Sequence, residues 1–391
     1  MTRAVHKAAL CLFASILIIG LGSGLRLSLP AGSAPEKASG AGAGSGSPAR
    51  LESQTAQAAH AAEGADEERY PYRSERFAEL AAESYRQCTG RESHDFYQRV
   101  NEAYERCDAR FAGKESLGLT ELLGAQKREL SSIASISEEK EAEIVLLPWV
   151  HKLVKAIAPR FSLDRGFELY DVVEHGERQC FSQSVLIASL LQEMGVDAGV
   201  VMVYRNVEGK EINNGHAVVL VKLPDGEDIL VDASHREPFV RQKGLLVRAP
   251  GYRYVNAIYE EHTSEIRGYE SARGKAAVAD RLVRALDFHF IRSQFWYYRG
   301  ERAKDGILSE RKTRQGLAAS RQCLQTSVRL CPDNALSVYM LGRVYLLEGR
   351  VALARNLLET AYRLYSRCGW IPEGPRRYLA LAKRAGDSGA L

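Results

Sequence analysis

An apolar helix signal followed about twenty residues later by a β-hairpin signal, both within residues 178–234, constrains this chain more than any other feature. The helix reads RQCFSQSVLIASLLQEMG. Ile187, Leu190, Leu191 and Met194 recur at helical spacing, and Gly195 suits a left-handed exit. The hairpin reads HAVVLVKL, then the turn chemistry PDGED, then the returning strand ILVDAS.

Three residues on this frame can carry chemistry: Cys180 where the helix opens, His216 entering one strand, and Asp232 leaving the next. At a helix start, unpaired N–H groups and the positive end of the dipole favour a thiolate, which is the reactive form of the sulfur. His216 and Asp232 lie eight residues on either side of Pro224. Antiparallel pairing then makes them opposite or one step diagonal on a shared face. That is how a carboxylate orients an imidazole and steadies its charged form. Taken singly, a cysteine on an apolar helix is usually a small buried hydrophobe, and a strand-end His or Asp is usually a surface residue. Their order, spacing and context together favour a Cys-His-Asp nucleophile over those readings.

Residues 146 to about 235 resemble the transglutaminase-like superfamily, through ELYDVVEHGERQCFSQSVLIASLLQEMGVDAGVVMVY, NNGHAVVLV and DILVDAS. The resemblance implies an α+β fold with a papain-like core, the Cys-bearing helix packed on an antiparallel sheet. It implies Cys180 as nucleophile, His216 as base and Asp232 as orienter, acting by acyl transfer on peptide or isopeptide amides without a cofactor. Protease or amidase chemistry and transglutaminase chemistry share that triad and stay open here. Gln179 before the nucleophile and Val218 after His216-Ala217 depart from the small or apolar and the aromatic residues common in that family. No side-chain oxyanion donor is identifiable, which leaves the backbone N–H of Cys180 as the first candidate. The competing reading keeps the fold, drops the activity and makes the chain a protein-binding scaffold.

Toward the C-terminus, residues 265–385 give helical signals and no strand signal. In NALSVYMLGRVYLLEGRVALARNLLETAYRLY, the residues Leu341, Gly342, Tyr345, Gly349, Ala354, Leu358 and Ala361 resemble the packing positions of a tetratricopeptide repeat. Ser320, Leu324, Ser327 and Pro332 fit a preceding, degenerate repeat. So few units do not stand alone, so the bundle is expected to pack on the catalytic part. Such repeats imply a protein partner and suit a protein or peptide substrate. Residues 67–145 read as a helical region, and 146–260 as the transglutaminase-like domain.

At the other end, MTRAVHK precedes about eighteen nearly uncharged residues, so residues 1–30 are expected to be a signal peptide or membrane anchor. Basic residues before that run place the remainder of the chain outside the cytoplasm: membrane-anchored, periplasmic or extracellular. Residues 31–66, rich in Ala, Gly and Ser, read as a disordered linker.

Seven cysteines in 391 residues do not make a disulfide scaffold, although Cys88 and Cys107 could pair in an oxidising compartment. No Cys/His cluster has metal-ligand spacing, and His175 and His235 read as loop residues near the site. Residues 236–391 hold 28 Lys and Arg against 15 Asp and Glu, a balance of +13, so the total of +4 leaves −9 for the rest. Without nucleic-acid motifs, or aromatics interleaved with those charges, the excess reads as solvated helix faces rather than a nucleic-acid surface.

Overall fold

In the computed structural model, which describes residues 69–91 and 95–387, nearly all of residues 197–278 is strand or tight turn. The expected anchor (1–30) and linker (31–66) lie outside the described residues. No described helix is long and apolar enough to cross a membrane. The chain is α+β, with eleven α-helices among the described residues.

The strands β3 (Asp197–Arg205), β4 (Glu211–Lys222), β5 (Asp228–Val231), β6 (Gly244–Arg248), β7 (Tyr252–Tyr259) and β8 (Glu265–Ser271) pair antiparallel in the order β5-β4-β3-β6-β7-β8. A further pairing of β5 with β8 closes the ring into a barrel. Period-two alternation sorts the side chains. Val201, Val203, Val218, Leu220, Leu230, Leu245, Val247 and Val255 fill the interior. Val200, Met202, Val219, Val221 and Val231 join the helical core outside. The interior is solid, so the barrel supports a site at its rim rather than holding a ligand.

The helix α6 (Cys180–Glu193) lies on the outside of β3 and β4, with every residue from Phe181 to Glu193 buried. Ser184 Oγ donates to the Ala217 carbonyl at 3.2 Å, fixing the helix beside the start of the apolar part of β4. Four helices precede it: α1 (Glu75–Thr89), α2 (Phe96–Arg106), α3 (Leu119–Ser132) and α4 (Ile136–Ile157). Both α3 and α4 pack on α6. The expected boundary at 145/146 falls inside α4, whose Ser135 cap and apolar run through Ile157 make one helix of both sides. A short parallel pair, β1 (Arg160–Phe161) with β2 (Glu177–Arg178), and α5 (Leu169–Glu174) complete the approach to Cys180.

The expectation of no strand beyond residue 265 is corrected. Both β8 and β9 (Ala277–Val278) lie there, and the all-helical part begins at α7 (Phe288–Glu301). The sequence EIRGYES hides its strand because only Ile266 and Tyr269 are buried. A bulge between the pairs Ile258–Gly268 and Tyr259–Ile266 breaks the alternation that would announce it.

After α7 come α8 (Arg314–Leu330), α9 (Ala335–Leu347), α10 (Val351–Cys368) and α11 (Glu373–Asp387), each packed chiefly on its neighbour in sequence. Buried hydroxyls join three of them: Ser327 Oγ donates to the Ser293 carbonyl at 2.7 Å and lies 2.7 Å from Ser337 Oγ. Beyond α10, Trp370 packs against Tyr204 and Tyr254 with ring centroids 4.8 and 5.1 Å away, and its indole N–H donates to Glu211 at 3.1 Å. The helices therefore rest on the barrel.

Small residues set the helix spacing. A Cβ on Gly342 would lie 2.9 Å from Leu358 Cγ, and Ala354 on the facing helix is fully buried. Gly342→Leu or Ala354→Leu is therefore expected to cost about 1–3 kcal/mol by overpacking. Because the helices rest on the barrel, labelling of Cys180 should be lost in the same thermal transition. Full labelling that outlasts a separate low-temperature transition would contradict this.

Candidate functional site

Cys180 takes the first helical position because the residue before it is held extended. Gln179 has φ −124° and ψ 170°, and its N–H donates to the Gly166 carbonyl at 2.9 Å and to Ser182 Oγ at 3.2 Å. Its side-chain amide donates to the Leu163 and Arg165 carbonyls at 2.9 and 3.3 Å. Gln179, a departure from the resembled family, thus straps the 162–168 loop to the nucleophile's helix. Gly166 sits at φ +90°, and a Cβ there would lie 2.8 Å from the Arg178 backbone, so only glycine fits. The first intrahelical bond runs from Gln183 N–H to the Gln179 carbonyl, and the Ser182 N–H donates to the Gln179 side chain, which leaves the N–H groups of Cys180 and Phe181 without an intrahelical acceptor.

The hairpin register decides how His216 and Asp232 meet. Val219 pairs with Val231 and Lys222 with Asp228, so the turn centres on Asp225, one residue later than symmetry about Pro224 would give. Continued past β5, this register sets Asp232 opposite Val218 and one diagonal step from His216, on the same face of the ribbon. His216 Nε2 lies 2.7 Å from Asp232 Oδ2, with side-chain exposures of 18% and 0%.

That bond leaves Nδ1 of His216 for Cys180. Burial pushes the imidazole toward its neutral form, but hydrogen bonds to Asp232 and Cys180 and the charges on both outweigh it, raising the pKa to about 10. Asp232 is held below the usual carboxylate range: burial opposes ionisation, and His216, the Ser234 N–H and His235 together overcome it. The structure thus brings Cys180, His216 and Asp232 into one chain of contacts. His235 stands beside it, Nε2 3.7 Å from Asp232 Oδ2, whereas His175 caps α5 with its ring against Tyr170.

Two further side chains belong here that sequence reasoning missed. Gln183, one turn after Cys180, donates to Ser234 Oγ at 2.6 Å and to Asp232 Oδ1 at 3.4 Å, while Ser234 N–H reaches the same Oδ1 at 2.8 Å. Its available signal is a long polar side chain three places after the nucleophile, on the same helix face. Tyr298, far along the chain on α7, sets its ring 5.5 Å from that of Phe181. Burial first, then the charge of Cys180, pushes its phenol far above the ordinary tyrosine value, so it stays a hydrogen-bond donor. No local pattern announces it.

The remaining thiols differ. Cys331 and Cys368 are buried, which pushes each up to about 11. Cys88 and Cys107, the pair that an oxidising compartment could join, are both free. Among the described residues no three His, Cys, Asp or Glu side chains are grouped to hold a metal ion.

The arrangement can present a sulfur nucleophile, a proton carrier beside it and a carboxylate that fixes the carrier. Comparison of the chain with protein-family models and with curated proteins finds no match to either.

Proposed function

We propose that the chain is a transglutaminase-like cysteine enzyme that transfers acyl groups from peptide or isopeptide amides through a thioester on Cys180. One observation carries this reading: His216 Nε2 lies 2.7 Å from buried Asp232, and Cys180, at a helix start, is near enough to help raise the pKa of the same imidazole.

In the proposed reaction the sulfur of Cys180 adds to the amide carbonyl carbon while the carbonyl π pair moves to oxygen. Collapse re-forms the carbonyl, breaks the C–N bond and passes the His216 proton to the departing amine. His216 then takes a proton from the acceptor that attacks the thioester, and collapse of this second adduct breaks the C–S bond and returns its electron pair to the Cys180 sulfur. Water as acceptor makes a peptidase or amidase, and a lysine amine makes an isopeptide cross-link. The helices α8–α11, with their tetratricopeptide-like spacing, would engage a polypeptide substrate or partner. Export to a membrane-attached or extracellular position is also part of the proposal.

Loading Cys180 from a peptide thioester, then offering water alone or water with a primary amine, tests the reading and separates the two acceptors. A Cys180-linked acyl group that discharges to either acceptor supports it. Absence of any such adduct at native pH overturns it.

The ion pair makes a separate prediction. The His216 imidazole should titrate near pH 10, and Asp232→Asn should bring it down toward 6.5, followed by NMR of the ring protons. Because the folded value is raised, its contribution to stability is fully present below about pH 6.5 and fades as the pH rises through about 10. A titration near 6.5 in the wild type would exclude the ion pair.

A further inference from the structure

We propose that the Tyr298 hydroxyl is the side-chain donor of the oxyanion site, acting beside the backbone N–H of Cys180. The proposal deepens the acyl-transfer reading and rests on it.

The chemistry requires preorganised donors where the carbonyl oxygen becomes negative, and a single backbone N–H leaves that site half built. Cys180 N–H is one donor, unpaired within its helix by position. The geometry points to where the second comes from. Phe295 and Tyr298, on adjacent turns of α7, clasp the Phe181 ring with centroids 5.0 and 5.5 Å away. Phe181 directly follows the nucleophile, so the contact that locks the Tyr298 ring keeps it beside the start of α6, where its phenol feels the charge of Cys180 and meets the Gln294 side chain. The residue is 8% exposed, which excludes bulk water and strengthens any hydrogen bond made there. The position is braced from both sides. Arg299 is bidentate to Glu168, with Nε 2.7 Å from Oε1 and Nη2 3.0 Å from Oε2. Arg302 lies over the Phe167 ring at 5.3 Å, on the same loop that Gln179 straps. A phenol kept protonated by burial and by the sulfur's charge can donate but cannot serve as base.

In the step itself, the C–S bond forms as the carbonyl π pair moves to oxygen. The Tyr298 O–H hydrogen-bonds to that oxygen without giving up its proton. Collapse returns the pair to the carbonyl as the leaving group departs with the proton from His216.

Tyr298→Phe keeps the ring against Phe181 and removes only the hydroxyl. Two reactions of the same sulfur separate its roles. Acylation by a p-nitrophenyl ester passes through an oxyanion, whereas alkylation by iodoacetamide displaces iodide and forms none. The expected result is a fall of about 10²–10³-fold in kcat for ester turnover with KM little changed. The rate of Cys180 alkylation and the thermal midpoint should stay at wild-type values. Wild-type ester turnover in the variant overturns the proposal alone, and so does an equal fall in alkylation, since the hydroxyl would then act on the sulfur. Absence of Cys180-dependent turnover in the wild-type protein overturns the acyl-transfer reading and the proposal with it.

Discussion

Cys180→Ala is expected to abolish thioester formation, with a loss on the order of 10⁶ in kcat, and His216→Ala to come close to it. The two are nearly equivalent because each is useless without the other: the sulfur needs the proton carrier, and the carrier has no other nucleophile. Asp232→Asn removes the carboxylate charge, which releases His216 toward its ordinary value. Its expected loss is smaller, on the order of 10⁴. Circular dichroism and thermal unfolding of Cys180→Ala should match the wild type, since its sulfur makes no structural hydrogen bond to backbone among those described. Full turnover by Cys180→Ala on a peptide thioester would end the enzyme reading.

The largest effect on stability is expected at Arg299, far from the reacting atoms. Its guanidinium, 6% exposed, is bidentate to Glu168 and lies 3.8 Å from Glu83. Glu83 is also held by Arg292 Nε at 2.9 Å. One residue on α7 therefore ties α1, the loop before Cys180 and the C-terminal helices together. Arg299→Met leaves Glu168 buried without its cation and Glu83 with Arg292 alone, and should cost about 3–5 kcal/mol in urea unfolding. The double variant Arg299→Met with Glu168→Gln should recover part of that loss, because the amide need not be ionised. An Arg299→Met protein as stable as the wild type would show that the cluster is solvated rather than structural. Since Tyr298 is the preceding residue, the single variant should also lower ester turnover beyond what unfolding explains.

Much of the site is legible in the sequence because its parts are local. The helix opening at Cys180 and the hairpin of His216 and Asp232 are short-range patterns, and period and turn chemistry determine both. Only the register needs the structure: the turn centres on Asp225, so the pair is diagonal rather than opposite. Gln183 is readable in principle from its spacing to Cys180, but its partners Asp232 and Ser234 lie some fifty residues on, and the Ser182-Gln183-Ser184 run does not single it out. Tyr298 is not readable, since its place depends on α7 crossing the start of α6, a contact between residues far apart in the chain. The barrel is half visible. Strands β3 to β5 are dense in valine and leucine, whereas β8 closes the ring with two buried side chains and a bulge. Closure of a sheet is a tertiary event, and weak strands are recruited to it by partners rather than by propensity.

The most direct test of the central claim is the site of acylation. The full chain is mixed with a p-nitrophenyl acyl ester, quenched in acid and mapped by peptide mass spectrometry, alongside His216→Ala. The expected product carries one acyl group on the peptide containing Cys180, sensitive to hydroxylamine and absent from His216→Ala. Acyl groups spread over lysines or the other thiols, or formed equally without His216, would contradict acyl transfer through Cys180.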